Sequence, residues 1–273
     1  MAKVKAKIID VSYAQGIIDW EKVKAHIDGA IIRIGYGMDS ESQDDKYFKR
    51  NADECTRLGI PFGVYLYSYA DTVDKAKSEA AHCLRLIKGY KLSYPVYLDL
   101  EENGTQSGAV ERANIFGDII EKAGYWCGIY ANLNWWRNYL KGLDRFTKWV
   151  AQYNNECTYT GTYDMWQYSS KGKVSGIKGS VDMNECYRDF PTEIKGVKQT
   201  VPHMPNPTPK EPTIKKGDTV KVKLGAKTYD GKSLASFVYK RKHKVKEVNG
   251  NRVVITYAGI VVAAVHKDKL TLV

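Results

Sequence analysis

The chain has 273 residues, enough for one large domain and a small one, and its 43% hydrophobic content is ordinary for a globular protein. Its net charge of +11 is uneven: residues 1–190 carry 25 basic and 25 acidic side chains, so the whole excess lies in 191–273, which predicts two modules with different partners. No apolar run approaches the roughly 18 residues needed to span a bilayer, and the N-terminal MAKVKAKIIDVSYAQG lacks an apolar h-region, so neither a membrane anchor nor a secretory signal is expected.

Eight short apolar segments punctuate residues 1–190: 7–12, 29–35, 61–68, 94–101, 126–131, 148–153, 163–168 and 180–184. Several are almost continuously apolar and rich in Val, Ile and Tyr, as strands covered on both faces are. Helical spacing fills the early gaps, over 19–27, 43–58, 73–88, 107–123 and 133–141. After Lys148 the gaps are too short or too rich in Gly, Ser and Thr for more. Eight strands and about five helices predict an α/β fold, a modified (β/α)8 TIM-like barrel in 1–190, with an open doubly wound sheet as the alternative. Residues 191–212 read as an extended linker, five of the chain's eight prolines lying in 196–212. Residues 213–273 read as a small all-β barrel, with a hairpin at Asn249-Gly250. The five cysteines show no C-x-x-C spacing and read as reduced thiols.

The chemistry concentrates at Tyr94-Pro-Val-Tyr-Leu-Asp-Leu-Glu-Glu102. Asp99 and Glu101 stand two residues apart at the end of an apolar strand and so face one side. Charge there is costly unless it has a job, and paired carboxylates at a strand's carboxyl end are the usual equipment of glycosidases. An ordinary pair of salt bridges at a loop start is the competing reading. In a barrel the strand ends converge on one mouth, which gathers Asp10, Arg33, Tyr36, Tyr65, Tyr67, Asp99, Glu101, Tyr130, Asn132, Gln152, Trp166, Gln167 and Asp182. Four carboxylates with aromatics and amides suit a sugar chain, and crowding would make one carboxyl keep its proton at neutral pH. Glu101 is the expected proton donor, and Asp99 the charge stabiliser. The histidines form no metal spacing, and no metal or other cofactor is expected.

Asp10-Val-Ser, Tyr97-Leu-Asp-Leu-Glu101 and Trp166-Gln-Tyr with Val181-Asp-Met-Asn184 resemble glycoside hydrolase family 25, lysozymes that include many phage endolysins. The resemblance covers roughly residues 5–190. It implies hydrolysis of the β-1,4 bond after N-acetylmuramic acid in peptidoglycan, with Glu101 as acid/base and Asp99 handling the substrate's acetamido group in an assisted, retaining reaction, although the two-residue spacing itself fits either a retaining or an inverting outcome. Asp10 and Asp182 would line the same cleft. Met183 stands where that family more often has Leu. A chitinase-type motif is disfavoured because Tyr94 and Tyr97 occupy its upstream acidic positions.

The second module resembles, more weakly, the Src-homology-3-like barrels that end many wall hydrolases. Its charge, densest at Lys240, Arg241, Lys242 and Lys244, suits anionic cell-wall polymers; a solubilising hairpin face is the plain alternative, and charge alone does not separate a wall polymer from nucleic acid. A wall polymer is the expected partner, without nucleic acid or membrane. The implied life history is that of an endolysin against a Gram-positive host, made in the host cytoplasm and acting at its wall. An inactive wall-binding protein and a wall amidase or peptidase are the alternatives. Met204, in the linker, is a candidate internal start, with cleavage of the linker as the other route to a free C-terminal fragment able to pair with the full chain, and a chance methionine as the plain alternative.

Overall fold

The computed structural model describes residues 3–196 and 214–273. The chain divides into two compact units, Met1–Met204 and Pro205–Val273. Met204 and most of the expected linker fall outside the described residues.

In the first unit eight strands close into a barrel in sequence order: β1 (Ala6–Val11), β2 (Gly29–Tyr36), β3 (Phe62–Tyr67), β4 (Val96–Asp99), β5 (Cys127–Asn132), β6 (Thr147–Ala151), β7 (Met165–Gly172) and β8 (Val181–Cys186). Neighbours from β1 to β7 are parallel. β8 runs antiparallel to both β7 and β1. The expected helices are present as α1 (Trp20–Val23, continued by a 3₁₀ turn over Lys24–His26), α2 (Phe48–Leu58), α3 (Val73–Ile87), α4 (Ala109–Lys122) and α5 (Leu133–Asn138). Side-chain oxygens of Asp19, Thr72 and Asn132 cap α1, α3 and α5, satisfying amides that a helix start leaves unpaired.

A sixth helix, α6 (Phe190–Gly196), was not foreseen and occupies the start of the stretch read as linker. Pro191 concealed it, although proline is well suited to a first helical turn. Phe190 is fully buried against Tyr94 and Trp126, with ring centroids 5.8 and 6.2 Å away. Both partners precede their strands, so α6 plugs the barrel floor, opposite the mouth. Period-two alternation divides the strand side chains: Ile8, Ile31, Tyr97, Tyr130, Trp149 and Met165 pack inside the barrel, while Ile9, Ile32, Val64, Leu98 and Val150 face the helices. The five cysteines are unpaired, and all but Cys157 are buried.

The second unit is a five-stranded antiparallel sheet on its own core of Val220, Val245, Val253, Ile255 and Val265. Its strands are β9 (Thr219–Val222), β10 (Lys242–Asn249), β11 (Arg252–Tyr257), β12 (Ile260–His266) and β13 (Leu270–Leu272), in the order β12-β11-β10-β9-β13. The hairpin at Asn249-Gly250 is present, with Asn249 paired to Arg252. Strand β12 follows a two-residue turn at Ala258-Gly259, both at positive φ, and alanine there is a weak turn signal. A short helix, α7 (Ser236–Lys240), precedes β10. Among the described residues no helix is long and apolar enough to cross a membrane.

Candidate active site

One cleft, of about 270 Å³, opens at the barrel mouth and is lined by Asp10, Arg33, Tyr65, Tyr67, Asp99, Glu101, Tyr130, Trp149, Tyr153, Gln167 and Asp182. All four expected carboxylates are therefore brought together. Asp182 arrives by a route the sequence reading had wrong. It is the second residue of β8, not a residue at its carboxyl end, and it reaches the mouth because β8 is reversed. There it stands directly opposite Asp10 in the β1–β8 ladder. Asp99 ends β4, and Glu101 lies two residues beyond, on the loop rather than on the strand.

The carboxylates are held differently. Asp10 Oδ2 accepts hydrogen bonds from Gln167 Nε2 (2.9 Å) and Asn184 Nδ2 (2.8 Å). Gln167 Oε1 in turn accepts from the hydroxyls of Tyr130 and Tyr153 (3.0 and 3.1 Å), and Asn184 Oδ1 accepts from Trp149 Nε1 (2.8 Å). Asp10 is thus clamped by a network of uncharged donors. Asp99 is only 4% exposed, and its Oδ1 is buried without a hydrogen-bond partner, an arrangement costly enough to demand an explanation. Glu101, half-buried at the rim, has no side-chain hydrogen bond or ion pair among the described residues and is free to reach a ligand.

Burial raises all four acids above their ordinary values. For Asp10, Asp182 and then Glu101 add to burial; for Asp99, Glu101 and Asp10 add to it while Arg33 opposes; for Glu101, Asp182 and Glu102 add. Arg33, the only cation lining the cleft among the described residues, donates through Nε and Nη2 to Asp45 Oδ2 (2.9 Å each) and lies 4.7 Å over the Tyr13 ring. One consequence concerns stability. Burial and Asp182 lift Asp10 from 3.8 to about 7, so the folded chain keeps a proton that the unfolded chain has lost. Stability must then fall as pH rises from about 4 to about 7. Asp10→Asn is expected to raise the melting temperature near pH ~8 and leave it unchanged near pH ~3, where both states are protonated; an equal shift at both pH values would contradict this.

Of the expected sugar-contacting residues, Tyr65, Tyr67, Tyr130 and Gln167 line the cleft, and four others do not. Asn132 is spent capping α5, accepting from Trp135 N at 3.1 Å. Gln152 holds the loop that follows β6 through Thr158 (2.8 and 3.0 Å). Trp166 points away from Gln167 by strand alternation and donates to the Gln152 carbonyl (2.8 Å). Tyr36 lines a separate, neighbouring cavity. Trp149 and Tyr153 were missed. Trp149 sits mid-strand, where a search of strand tips does not look; the signal was its place on the inward side of β6. Among the described residues no cluster of His, Cys, Asp and Glu is arranged to hold a metal ion. In the second unit Lys240, Arg241, Lys242 and Lys244 are all exposed. Arg241 lies over the rings of Phe237 and Tyr257, 5.4 and 4.5 Å from their centroids.

An eight-stranded barrel with an acidic, aromatic-lined mouth defines a class, the barrel glycoside hydrolases. The model of glycosyl hydrolases family 25 matches residues 9–177, and this chain belongs to that family: it is a glycoside hydrolase. It is 28% identical over 188 residues to the autolytic lysozyme of Clostridium acetobutylicum, covering 66% of this chain and 55% of that one. Among solved structures it is similar to the modular autolysin LytC of Streptococcus pneumoniae, with 35% identity, TM-score 0.57, and 66% and 46% of the two chains covered. It also resembles the CTP1L endolysin, with 28% identity, TM-score 0.61, and 70% of each chain covered. The chain thus spans less than half of LytC.

Proposed function

We propose that the protein is a muramidase that hydrolyses the β-1,4 bond between N-acetylmuramic acid and N-acetylglucosamine in bacterial peptidoglycan. The observation that carries this reading is the contrast within one cleft between Glu101, raised in pKa and unbonded at the rim, and Asp99, buried with an unpartnered oxygen. A protonated Glu101 donates to the leaving oxygen and then, deprotonated, activates water. The Asp99 oxygen accepts the acetamido N–H and stabilises the positive charge that develops on the assisting group. Asp10, already clamped, and Asp182 hold the field of the cleft. LytC has been solved with a synthetic peptidoglycan ligand, and a lysozyme is among the relatives, which supports the same substrate. Clearing of a peptidoglycan suspension, with release of reducing ends, tests the reading. Clearing with new amines and no reducing ends would make it an amidase or peptidase; binding without clearing would make it a wall-binding protein.

In the same proposal the second unit anchors the enzyme to anionic wall polymers. Adjacency of its first and last strands, with a 3₁₀ turn before the last, supports a Src-homology-3-like barrel, and the exposed Lys240, Arg241, Lys242 and Lys244 suit an anionic ligand. Binding to purified walls should weaken steeply with salt and be absent on DNA. The phage setting, synthesis in the host cytoplasm and lysis at the wall belong to this reading too. The CTP1L endolysin is described as regulated by a secondary translation product, which supports a second start at Met204; pairing of the resulting fragment with the full chain is part of the same proposal. Expression should then yield a second band of the small unit's mass, lost on Met204→Leu; its persistence would remove Met204 as the start.

A further inference from the structure

Strand β2 carries a bulge beside the cleft. Arg33 pairs with Tyr65 and Gly35 with Leu66, so Ile34 is the extra residue. Strict alternation would send Tyr36, three residues after Arg33, to the opposite face. The bulge re-aims it to the side of Tyr67, its partner in the ladder, and Tyr67 is in turn the partner of Asp99. Tyr36 therefore stands two strand spacings, about 9–10 Å, from Asp99.

The loop after β2 is built to hold this geometry. A Cβ on Gly35 would lie 2.3 Å from the Gln43 carbonyl oxygen, so only glycine fits. Gly37 adopts the left-handed conformation at φ 63°, and a Cβ there would lie 2.7 Å from Gln43 Oε1. His82, buried on α3, bridges the Gly37 carbonyl and Asp44 Oδ1 (3.1 and 2.8 Å). On β3's side, buried Glu79 takes hydrogen bonds from the Ser68 hydroxyl (2.7 Å) and the Tyr69 amide (2.8 Å). The rings of Tyr67, Tyr69 and Tyr36 then form a continuous edge, with centroids 5.0 and 5.9 Å apart. It starts at the cleft wall and ends in solvent, Tyr69 being 46% and Tyr36 37% exposed.

That edge borders a second cavity, of about 310 Å³, lined also by Met38, Gln43 and Lys75. Gln43 Oε1 is buried with no hydrogen-bond partner. Lys75 is paired with Asp71 at 2.7 Å, and Glu79 is committed to Ser68 and Tyr69. The cavity offers tyrosine rings with their hydroxyls and the Gln43 amide, with Lys75 already paired. We propose that it is a distal glycan subsite, taking a neutral N-acetylhexosamine unit of the strand beyond the pair flanking the cleaved bond. The sugar face stacks on Tyr36 and Tyr69, and an N–H or O–H of the same unit donates to Gln43 Oε1. A stem peptide fits less well, because no free charge is available for its carboxylates.

The inference rests on the peptidoglycan reading, and its test separates the two. Peptide-free glycan strands of two lengths, one too short to reach the cavity, are offered to the full chain and to Tyr36→Ala and Tyr69→Ala. The long-to-short ratio of kcat/KM should fall about tenfold in each variant, the scale of one lost stacking ring, and Tyr36→Phe should retain it. An unchanged ratio, an equal loss at both lengths, or a fall seen only on peptide-bearing strands would overturn the subsite. Calorimetric binding of the same strands to Glu101→Gln, with and without Tyr36→Ala, reads the subsite without cleavage. A Tyr36-dependent preference for long strands there supports it even if the unaltered chain cuts no glycan; loss of that preference from both chains overturns it even if cleavage is normal.

Discussion

Replacing Glu101 by glutamine is expected to lower turnover on peptidoglycan about 10³-fold, the middle of the range for loss of a general acid. Fold and wall binding should survive, because the Glu101 side chain is half-buried and makes no hydrogen bond or ion pair among the described residues that glutamine would break. The proton argument adds a second signature. Burial first, then Asp182 and Glu102, hold Glu101 above its ordinary pKa, so the acid form persists to higher pH than in a free glutamate and is lost as pH rises further. The unaltered enzyme should lose rate on that alkaline limb, whereas the residual activity of Glu101→Gln should lack it. Initial rates of dye release from labelled walls across pH measure both. Equal rates in the two proteins would transfer the acid role to another carboxyl.

Asp99→Asn is expected to cost about 10²-fold in kcat with little change in KM, as when one preorganised electrostatic partner of a transition state is removed. The side chain is buried at the end of β4 with Oδ1 unpartnered, so its charge lacks a hydrogen-bonded partner until substrate arrives, Arg33 opposing its cost only from a distance. Asparagine keeps the shape and removes the charge that would oppose a developing positive centre. The same change should stabilise the folded chain above neutral pH. Asp99 is held well above 3.8, first by burial and then by Glu101 and Asp10, so its ionisation opposes folding as pH rises. A variant less active and more thermostable at pH ~8 is the expected outcome. A rise in KM alone would make Asp99 a ground-state binding group.

Much of this was legible in the sequence for physical reasons. Strands buried on both faces leave near-continuous apolar runs, and helices on the outside leave a 3.6-residue period, so the alternation of β1 to β5 with α1 to α5 could be read directly. Strand direction leaves no such trace. Residues 180–184 have the same composition whichever way they run, and Asp182 was placed at the right mouth for the wrong reason. The bulge at Ile34 is equally silent: it turns Tyr36 toward the cleft side but into the neighbouring cavity, and only the spacing of Gly35 and Gly37 hints at a tight approach. Asn132 and Gln152 failed for a shared reason, whereas Trp166, second in β7, points away by strand alternation. Asn132 and Gln152 each sit at a strand's carboxyl end, yet their polar atoms are taken by a cap or a loop, competing demands that a list of strand ends cannot weigh. Conversely, Trp149 reaches the mouth from mid-strand, and its bond to Asn184 links a residue of β6 to the Asp10 of β1.

The central claim is that this cleft cuts one glycosidic bond with Glu101 as its acid. Mass spectrometry of borohydride-reduced products from purified peptidoglycan tests it most directly. The account predicts muropeptides ending in reduced N-acetylmuramic acid from the unaltered chain, and almost none from Glu101→Gln. Products ending in reduced N-acetylglucosamine, free stem peptides, or equal product from both proteins would contradict it.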